Sequence, residues 1–214
     1  MLKIEIDDIP EPDLELKYYK INSKIIKYFT TLVRGSYEYR LYIDFLKNML
    51  EINECTFFEN YNMKNGLTIE IHHSPLTLYD ICETVANKQF ENNGGWVCSF
   101  DVCEEVTRLH FEFKVGLIPL NPTAHELAHA EKITIYPSMV FGDWNSIENE
   151  YSKWMSESVS MKLIDFRNLG DKVEKPEMFE KNPVMIESKA IKSIKDMNVE
   201  KLIISKKMKK LKDS

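Results

Sequence analysis

Two pairs of histidines constrain the fold of this chain more than any other feature. His72 and His73 are adjacent and end an alternating segment that begins at Leu67, a pattern typical of a strand. His125 and His129 are four residues apart in a segment with helical character, a spacing that places both imidazoles on one helix face. Since successive side chains of a strand face opposite sides, one histidine of the doublet can enter a site beside the helix.

Short strands and a capped helix surround these pairs. The apolar and β-branched residues predict strands at Cys55–Tyr61 and Leu67–His72, and Asn65-Gly66 between them is a hairpin signal. Val115–Leu120 is an apolar run that also predicts a strand. Asn121 follows as an N-cap with proline next to it, so the helix that carries His125 has a clear start.

Helical periodicity covers much of the remaining chain up to residue 166. Aromatic and aliphatic residues recur at helical spacing from Lys17 to Asn53, with a break near Gly35 that predicts two helices. Further elements are predicted as follows: helices at Leu76–Phe90, at Asp101–His110 with Asp101 and Glu104 as a capping box, and at Trp144–Phe166, and a strand at Ile133–Tyr136.

The residues around both histidine pairs resemble the HNH, or ββα-metal, endonuclease family. The resemblance lies in Ile69-Glu-Ile-His-His-Ser-Pro75 and in Val115-Gly-Leu-Ile-Pro-Leu-Asn-Pro-Thr-Ala-His-Glu-Leu-Ala-His129. It implies a strand that ends in His-His, and a second strand that leads into a helix with His-x-x-x-His. It also implies that His72, His125 and His129 are metal ligands and that His73 is the general base.

The same resemblance implies one divalent cation as the cofactor. Three neutral imidazoles leave an open coordination position, as catalytic sites require. Zinc suits this ligand set, with magnesium, manganese or nickel as alternatives. The purely structural alternative is that His72 and His73 form a partly exposed strand end, and that the other pair caps or lines a helix face. His110, on an inserted helix, is expected to have a structural or surface role.

The chain departs from the family at Gly116, where the family has an asparagine that orients the general base. An active protein would therefore need another group to orient His73, such as a backbone carbonyl or the side chain of Glu112 or Asn121. In an active protein, Gly116→Asn is expected to raise cleavage or leave it intact. In a structural relic, the same change is expected to leave activity at zero and to alter stability only slightly. A sizeable loss of stability would instead indicate a positive φ angle that only glycine tolerates cheaply.

These observations predict an α+β fold, with a ββα-metal core, a helical insertion and flanking helices. Residues 1–53 are predicted to form an N-terminal arm and helices, with residues 1–16 as the arm. The HNH-like core is predicted at 54–166, with its helical insertion at 76–113. Residues 167–214 are predicted to be a polar, lysine-rich tail.

Charge is divided unevenly along the chain. The net charge is −6, and residues 171–214 hold 12 lysines against 8 acidic residues, which leaves −10 on residues 1–170. An acidic body argues against a nucleic-acid grip over the whole surface. The lysines fit either a solvated tail or a segment that binds the phosphates of DNA, which is the candidate partner. Protein partners cannot be predicted from these patterns.

The chain has no apolar run long enough to span a membrane and no apolar block of a signal peptide near its start. The four cysteines lack Cys-x-x-Cys spacing and are predicted to be buried thiols rather than disulfides. We therefore expect a cytoplasmic protein, in the host cytoplasm if a phage encodes it.

The segment after the His-His doublet, Pro75-Leu-Thr-Leu-Tyr-Asp80, and the run that begins at Val115 are similar to uncharacterised proteins of large tailed phages. Two functions follow from the resemblances. The first is a metal-dependent phosphodiesterase, an HNH-type endonuclease acting on DNA. The second is a catalytically degenerate, zinc-stabilised structural or binding protein of a phage. Enzymatic activity is left open between them.

Overall fold

The computed structural model describes residues 17–58, 63 and 66–170. The helices and strands of these residues are, in chain order, β1 (Lys17–Tyr18), α1 (Ser23–Gly35), α2 (Tyr37–Asp44), a π-helix (Phe45–Met49), β2 (Glu70–His73), α3 (Leu78–Asn92), β3 (Val97–Cys98), α4 (Ser99–Phe111), β4 (Leu117–Leu120), α5 (Pro122–His129), α6 (Ser146–Tyr151) and α7 (Glu157–Leu169). This mixture confirms the predicted α+β class. The predicted arm at 1–16 and all but the first few residues of the predicted tail lie outside the described residues.

The predicted pair of N-terminal helices is confirmed, with its break at Gly35. Asn22 caps α1, because its side chain accepts hydrogen bonds from the backbone N–H groups of Lys24 and Ile25. Ser36 accepts from the backbone N–H of Tyr39 and caps α2 in the same way. The π-helix continues directly from α2.

The strand that carries the histidine doublet pairs with a distant segment. β2 runs antiparallel to β4, with Glu70 opposite Leu120 and His73 opposite Leu117. The prediction that β2 pairs with the segment before Asn65-Gly66 is therefore wrong. Asn65 and part of the first predicted strand lie outside the described residues. Residues 55–58 form no strand, and Thr56 instead donates its backbone N–H to Pro119 O.

Between β2 and β4 the chain forms α3, β3 and α4. The predicted helices are confirmed in type, but a capping box begins the first of them and not the second. The Thr77 side chain accepts from the backbone N–H of Asp80, and the Asp80 carboxylate accepts from the backbone N–H of Thr77. The predicted box at Asp101 is wrong, because α4 already begins at Ser99 and has no side-chain cap.

The C-terminal part of the described chain also differs from expectation. The single helix predicted at Trp144–Phe166 is two helices, α6 and α7, joined by a 3₁₀ turn at Ser152–Trp154. The predicted strand at Ile133–Tyr136 is not formed. No helix among the described residues is long and apolar enough to span a membrane.

The interior consists of one large and one small hydrophobic cluster. The large cluster joins α1, α2, the inserted helices α3 and α4, and α6 and α7. The small cluster holds six buried residues around β4 and α5: Cys55, Ile69, Ile118, Leu120, Ala124 and Met139. We call β2, β4 and α5 together the strand–helix unit. All four cysteines are free thiols; three are buried and Cys103 is half-buried.

Candidate metal centre

Alternation along β2 separates the two histidines of the doublet. Glu70 and His72 are two residues apart and share one face of the strand, whereas His73 points to the other face. The face of His72 is the one that α5 covers, since its partner in β4 is Ile118, which packs with Ala124 of that helix. β2 therefore delivers one histidine, and not two, to the space between the strands and α5.

The second part of the site comes from α5, whose start is fixed by local chemistry. The Asn121 side chain accepts a hydrogen bond of 2.6 Å from the backbone N–H of Ala124, and Pro122 occupies the first turn. This cap confirms the helix start predicted from the sequence. His125 and His129 then lie one turn apart on the same face of the helix.

Three imidazoles converge as a result. The ring centroids of His72 lie 4.9 Å from those of both His125 and His129, and the two helix rings are 4.6 Å apart. Their ligand nitrogens all lie within 4.8 Å of one another. A tetrahedral zinc ion with Zn–N bonds of about 2.0–2.1 Å separates its nitrogens by roughly 3.4 Å. Small side-chain rotations would close the difference, so the three residues fit such an ion.

The surroundings favour the neutral imidazoles that metal binding requires. Burial, followed by the nearby His125 and His129, lowers the pKa of His72 to about 4. Burial also lowers the pKa of His125, although the Glu70 carboxylate opposes this effect. A deprotonated ring nitrogen is therefore available at neutral pH on both residues. The site opens outward at His129, which is exposed at the end of α5.

Glu70 is a site residue that the sequence analysis missed. Its Oε2 atom lies 2.5 Å from Nδ1 of His125, close enough for a short hydrogen bond. A carboxylate on one ring nitrogen fixes the tautomer and leaves Nε2 free for a cation, the arrangement that commonly supports metal-bound histidines. The signal was present in the sequence, because a residue two positions before His72 must share its strand face.

His73 lies apart from this cluster, in the interior of the large hydrophobic core. Its side chain is 8% exposed, and its Nε2 atom is 2.9 Å from Nε2 of His110, which is fully buried. Nδ1 of His110 is 2.7 Å from Val106 O, so this nitrogen carries the proton and donates to the carbonyl. His73 must then donate to His110. The pKa of His73 is held well below its ordinary value by burial and by the neighbouring imidazole.

The structure thus brings His72, His125 and His129 together and places His73 in the buried core. The surface role considered for His110 is wrong, because it is the buried partner of His73. The groups suggested as supports for His73 are engaged elsewhere. Glu112 accepts from Arg108 at 2.6 Å and pairs with Lys114 at 3.0 Å, while the Asn121 side chain caps α5.

Comparison with known proteins gives a match over most of the chain. A family model described as "Bacteriophage G278-like virion protein" matches residues 12–207. No curated protein and no solved structure matches the chain. The predicted phage origin is confirmed by this match, whereas membership of the HNH family is not shown. The chain belongs to the bacteriophage G278-like virion protein family.

Proposed function

We propose that this virion protein binds one divalent cation, with zinc as the best candidate, through His72, His125 and His129. The cation would hold α5 against the β2–β4 pair. The observation that carries this proposal is the convergence of three imidazoles, from two elements far apart in sequence, to within 4.8 Å. The function is then that of a metal-stabilised structural or binding component of the virion.

The position of His73 favours binding over hydrolysis. A general base must reach the attacking water beside the metal, directly or through one further water. His73 is on the opposite face of β2, 8% exposed, and hydrogen-bonded to His110. The acidic body of the chain points in the same direction, because it repels the phosphates of a nucleic acid.

Elemental analysis of the purified protein tests the proposal directly. We expect about one equivalent of zinc in the wild type, and none above background in His125→Ala. Glu126→Ala is the matched control, since Glu126 is an exposed neighbour on the same helix. A wild type without bound metal after incubation with zinc would refute the proposal, and so would equal metal content in His125→Ala.

Metal removal supplies a second measurement. A ligand that binds only the folded state at a hundred times its Kd stabilises that state by about 2.7 kcal/mol. We expect chelation to lower the melting temperature of the wild type and to leave His125→Ala unchanged. Equal responses of the two proteins to chelation would contradict a cation held at this site.

A DNA phosphodiesterase is the second candidate. The observation in its favour is the exposed side of the site at His129, where a fourth coordination position would face solvent. A bound cation there would stabilise charge on a phosphate oxygen. Incubation with plasmid and magnesium, manganese, nickel or zinc tests it. Cleavage that His129→Ala abolishes would support the enzyme, and its absence with all four metals would eliminate it.

The proposal also includes the compartment in which the protein folds. We infer that the chain folds in the host cytoplasm before it enters the virion. Its four free thiols are compatible with a reducing compartment.

A further inference from the structure

The π-helix at Phe45–Met49 brings a lysine to the base of the candidate metal centre. Lys47 is half-buried, and its Nζ atom lies 2.5 Å from Ile69 O, immediately before β2. An ammonium group on a carbonyl oxygen makes a charge-assisted hydrogen bond, which is stronger than a neutral one. π-helical turns are rare and often occur at functional sites. Here the turn contains the residue that contacts the strand of the site.

The Lys47 contact lies directly beside the carboxylate that supports the site, because Ile69 precedes Glu70 in the chain. Burial lowers the pKa of Lys47, and the charge of Glu70 partly offsets that effect. Glu70 in turn contacts Nδ1 of His125 at 2.5 Å. A chain of contacts therefore runs from the π-helix through β2 to one of the three imidazoles.

We propose that Lys47 is a positioning residue for the cation site. It holds the backbone carbonyl of Ile69, directly before β2, so that Glu70 stays on Nδ1 of His125 and directs Nε2 toward the cation. The hydrogen bond of Lys47 is to the Ile69 carbonyl and not to a ligand histidine, so its proposed effect on the cation is indirect, through Glu70. This inference rests on the proposed metal-binding function.

A double-mutant cycle tests the inference. The variants are Lys47→Met, Glu70→Gln and the double variant, and the probe is Zn²⁺ titrated in competition with a chromophoric chelator. Loss of a group that supports a metal ligand typically weakens metal affinity by about 10- to 100-fold. We expect about tenfold for Glu70→Gln and roughly threefold to tenfold for Lys47→Met. The double variant should bind like Glu70→Gln alone, because the proposed effect of Lys47 on the cation passes through the Glu70 carboxylate.

Two further variants separate positioning from a general effect. Lys47→Arg keeps the charge and the donor, so it should restore affinity to within about twofold of the wild type. Lys132→Met removes a lysine from the exposed turn after α5 and should leave affinity unchanged. If Lys47→Met does not fold, Lys47→Gln takes its place in the cycle. Absorption of bound Co²⁺ should change in Lys47→Met and match the wild type in Lys47→Arg.

The outcomes distinguish this inference from the function on which it rests. A wild type that binds no zinc overturns the proposed function. A wild type that binds zinc while Lys47→Met binds it equally well overturns only the role of Lys47. Lys47→Met could instead weaken zinc affinity by the same factor in the wild-type and Glu70→Gln backgrounds. That result would also overturn the role of Lys47, because the lysine would then act independently of Glu70.

Discussion

Gly116 lies directly before β4, where its backbone meets that of Ser74 directly after β2. Its carbonyl oxygen accepts a hydrogen bond of 3.0 Å from the Ser74 N–H. A Cβ atom at this position would lie 2.0 Å from Ser74 O and 2.9 Å from a methyl carbon of Val140. Its φ angle is not positive, so the positive φ considered from the sequence is not the reason for glycine here. The reason is the close approach of two backbones.

This contact predicts that Gly116→Ala will be severely destabilising. Neither a backbone carbonyl nor a packed valine can move away cheaply, so we expect a loss of more than about 3 kcal/mol in the free energy of unfolding. Urea denaturation measures it. Gly35→Ala is the control, because its added Cβ would meet no atom within 4 Å. It should range from neutral to about 1 kcal/mol more stable. Equal behaviour of the two variants would contradict the explanation.

The same contact argues against the retained or increased cleavage that the sequence analysis expected for Gly116→Asn in an active protein. Asparagine places a Cβ where alanine does, so Gly116→Asn would disturb the strand pair before its amide could orient any histidine. His73 is oriented by its hydrogen bond with His110 instead, so the fold does not need an asparagine at position 116 for this purpose.

The buried His110 is expected to make the stability of the fold depend on pH. Burial lowers its pKa from 6.5 to about 4, so the unfolded chain binds a proton more readily than the folded chain between these values. Stability from the neutral His110 is therefore fully present above pH 6.5 and is lost as the pH falls toward 4. Between pH 7 and pH 5 this loss is on the order of 2 kcal/mol.

We expect His110→Gln to reduce this acid sensitivity, because glutamine keeps hydrogen-bonding groups and does not titrate. The measurement is urea unfolding at pH 7 and pH 5, with chelator present so that metal release does not contribute. Both proteins contain the same other histidines. The difference between their losses of stability therefore reports the titration of His110 and its effect on His73. An equal loss of stability in both proteins would show that His110 does not cause the sensitivity.

At the scale of elements, Asp80 joins the start of α3 to α7. Its carboxylate closes the capping box with Thr77 and accepts from Lys162 Nζ at 2.8 Å through both oxygens. Asp80 is 4% exposed, whereas Asp101, the cap predicted for the next helix, is exposed. Both aspartates stand in the first turn of their helix, but only Asp80 belongs to a capping box.

Alanine at each position distinguishes these roles. Asp80→Ala should lower the free energy of unfolding by about 2 kcal/mol, since it removes the carboxylate half of the capping box and the acceptor for Lys162. Asp101→Ala should change it by no more than about 0.5 kcal/mol, as is usual for exposed positions. Thermal or urea denaturation of both variants checks this. A larger effect at Asp101 would mean that the helix start is misassigned.

Elements specified by adjacent residues could be predicted from local sequence patterns, whereas the same patterns indicated the wrong partner strand for β2. Asn121 and Pro122 fix the start of α5 through contacts within one turn, so that helix and the shared face of its histidines were predictable. The partner of β2 lies beyond two inserted helices, and the nearer hairpin signal at Asn65-Gly66 was misleading. Strand alternation separates His72 from His73, but only the packing of the inserted helices buries the face of His73.

At the scale of the whole molecule, the strand–helix unit is attached to a much larger body. Its own cluster has six buried residues, whereas the other cluster spans six of the seven α-helices among the described residues. Leu117 of β4 belongs to the large cluster, while Ile118 and Leu120 belong to the small one. In α5 only Ala124 is buried. Packing alone therefore holds this helix weakly, and a cation on its two histidines would contribute much of the attachment.

This division predicts a local response to metal removal. Regions with few buried contacts open at lower free energy than the core, so chelation should speed amide hydrogen exchange in α5 while α3 and α4 keep their protection. Hydrogen-exchange mass spectrometry with and without chelator measures this. His129→Ala should resemble the chelated wild type in both conditions, and Glu126→Ala should resemble the untreated protein. Faster exchange in α3 and α4 would instead mean that the cation supports the whole fold. Unchanged exchange in α5 would mean that the helix is held without it.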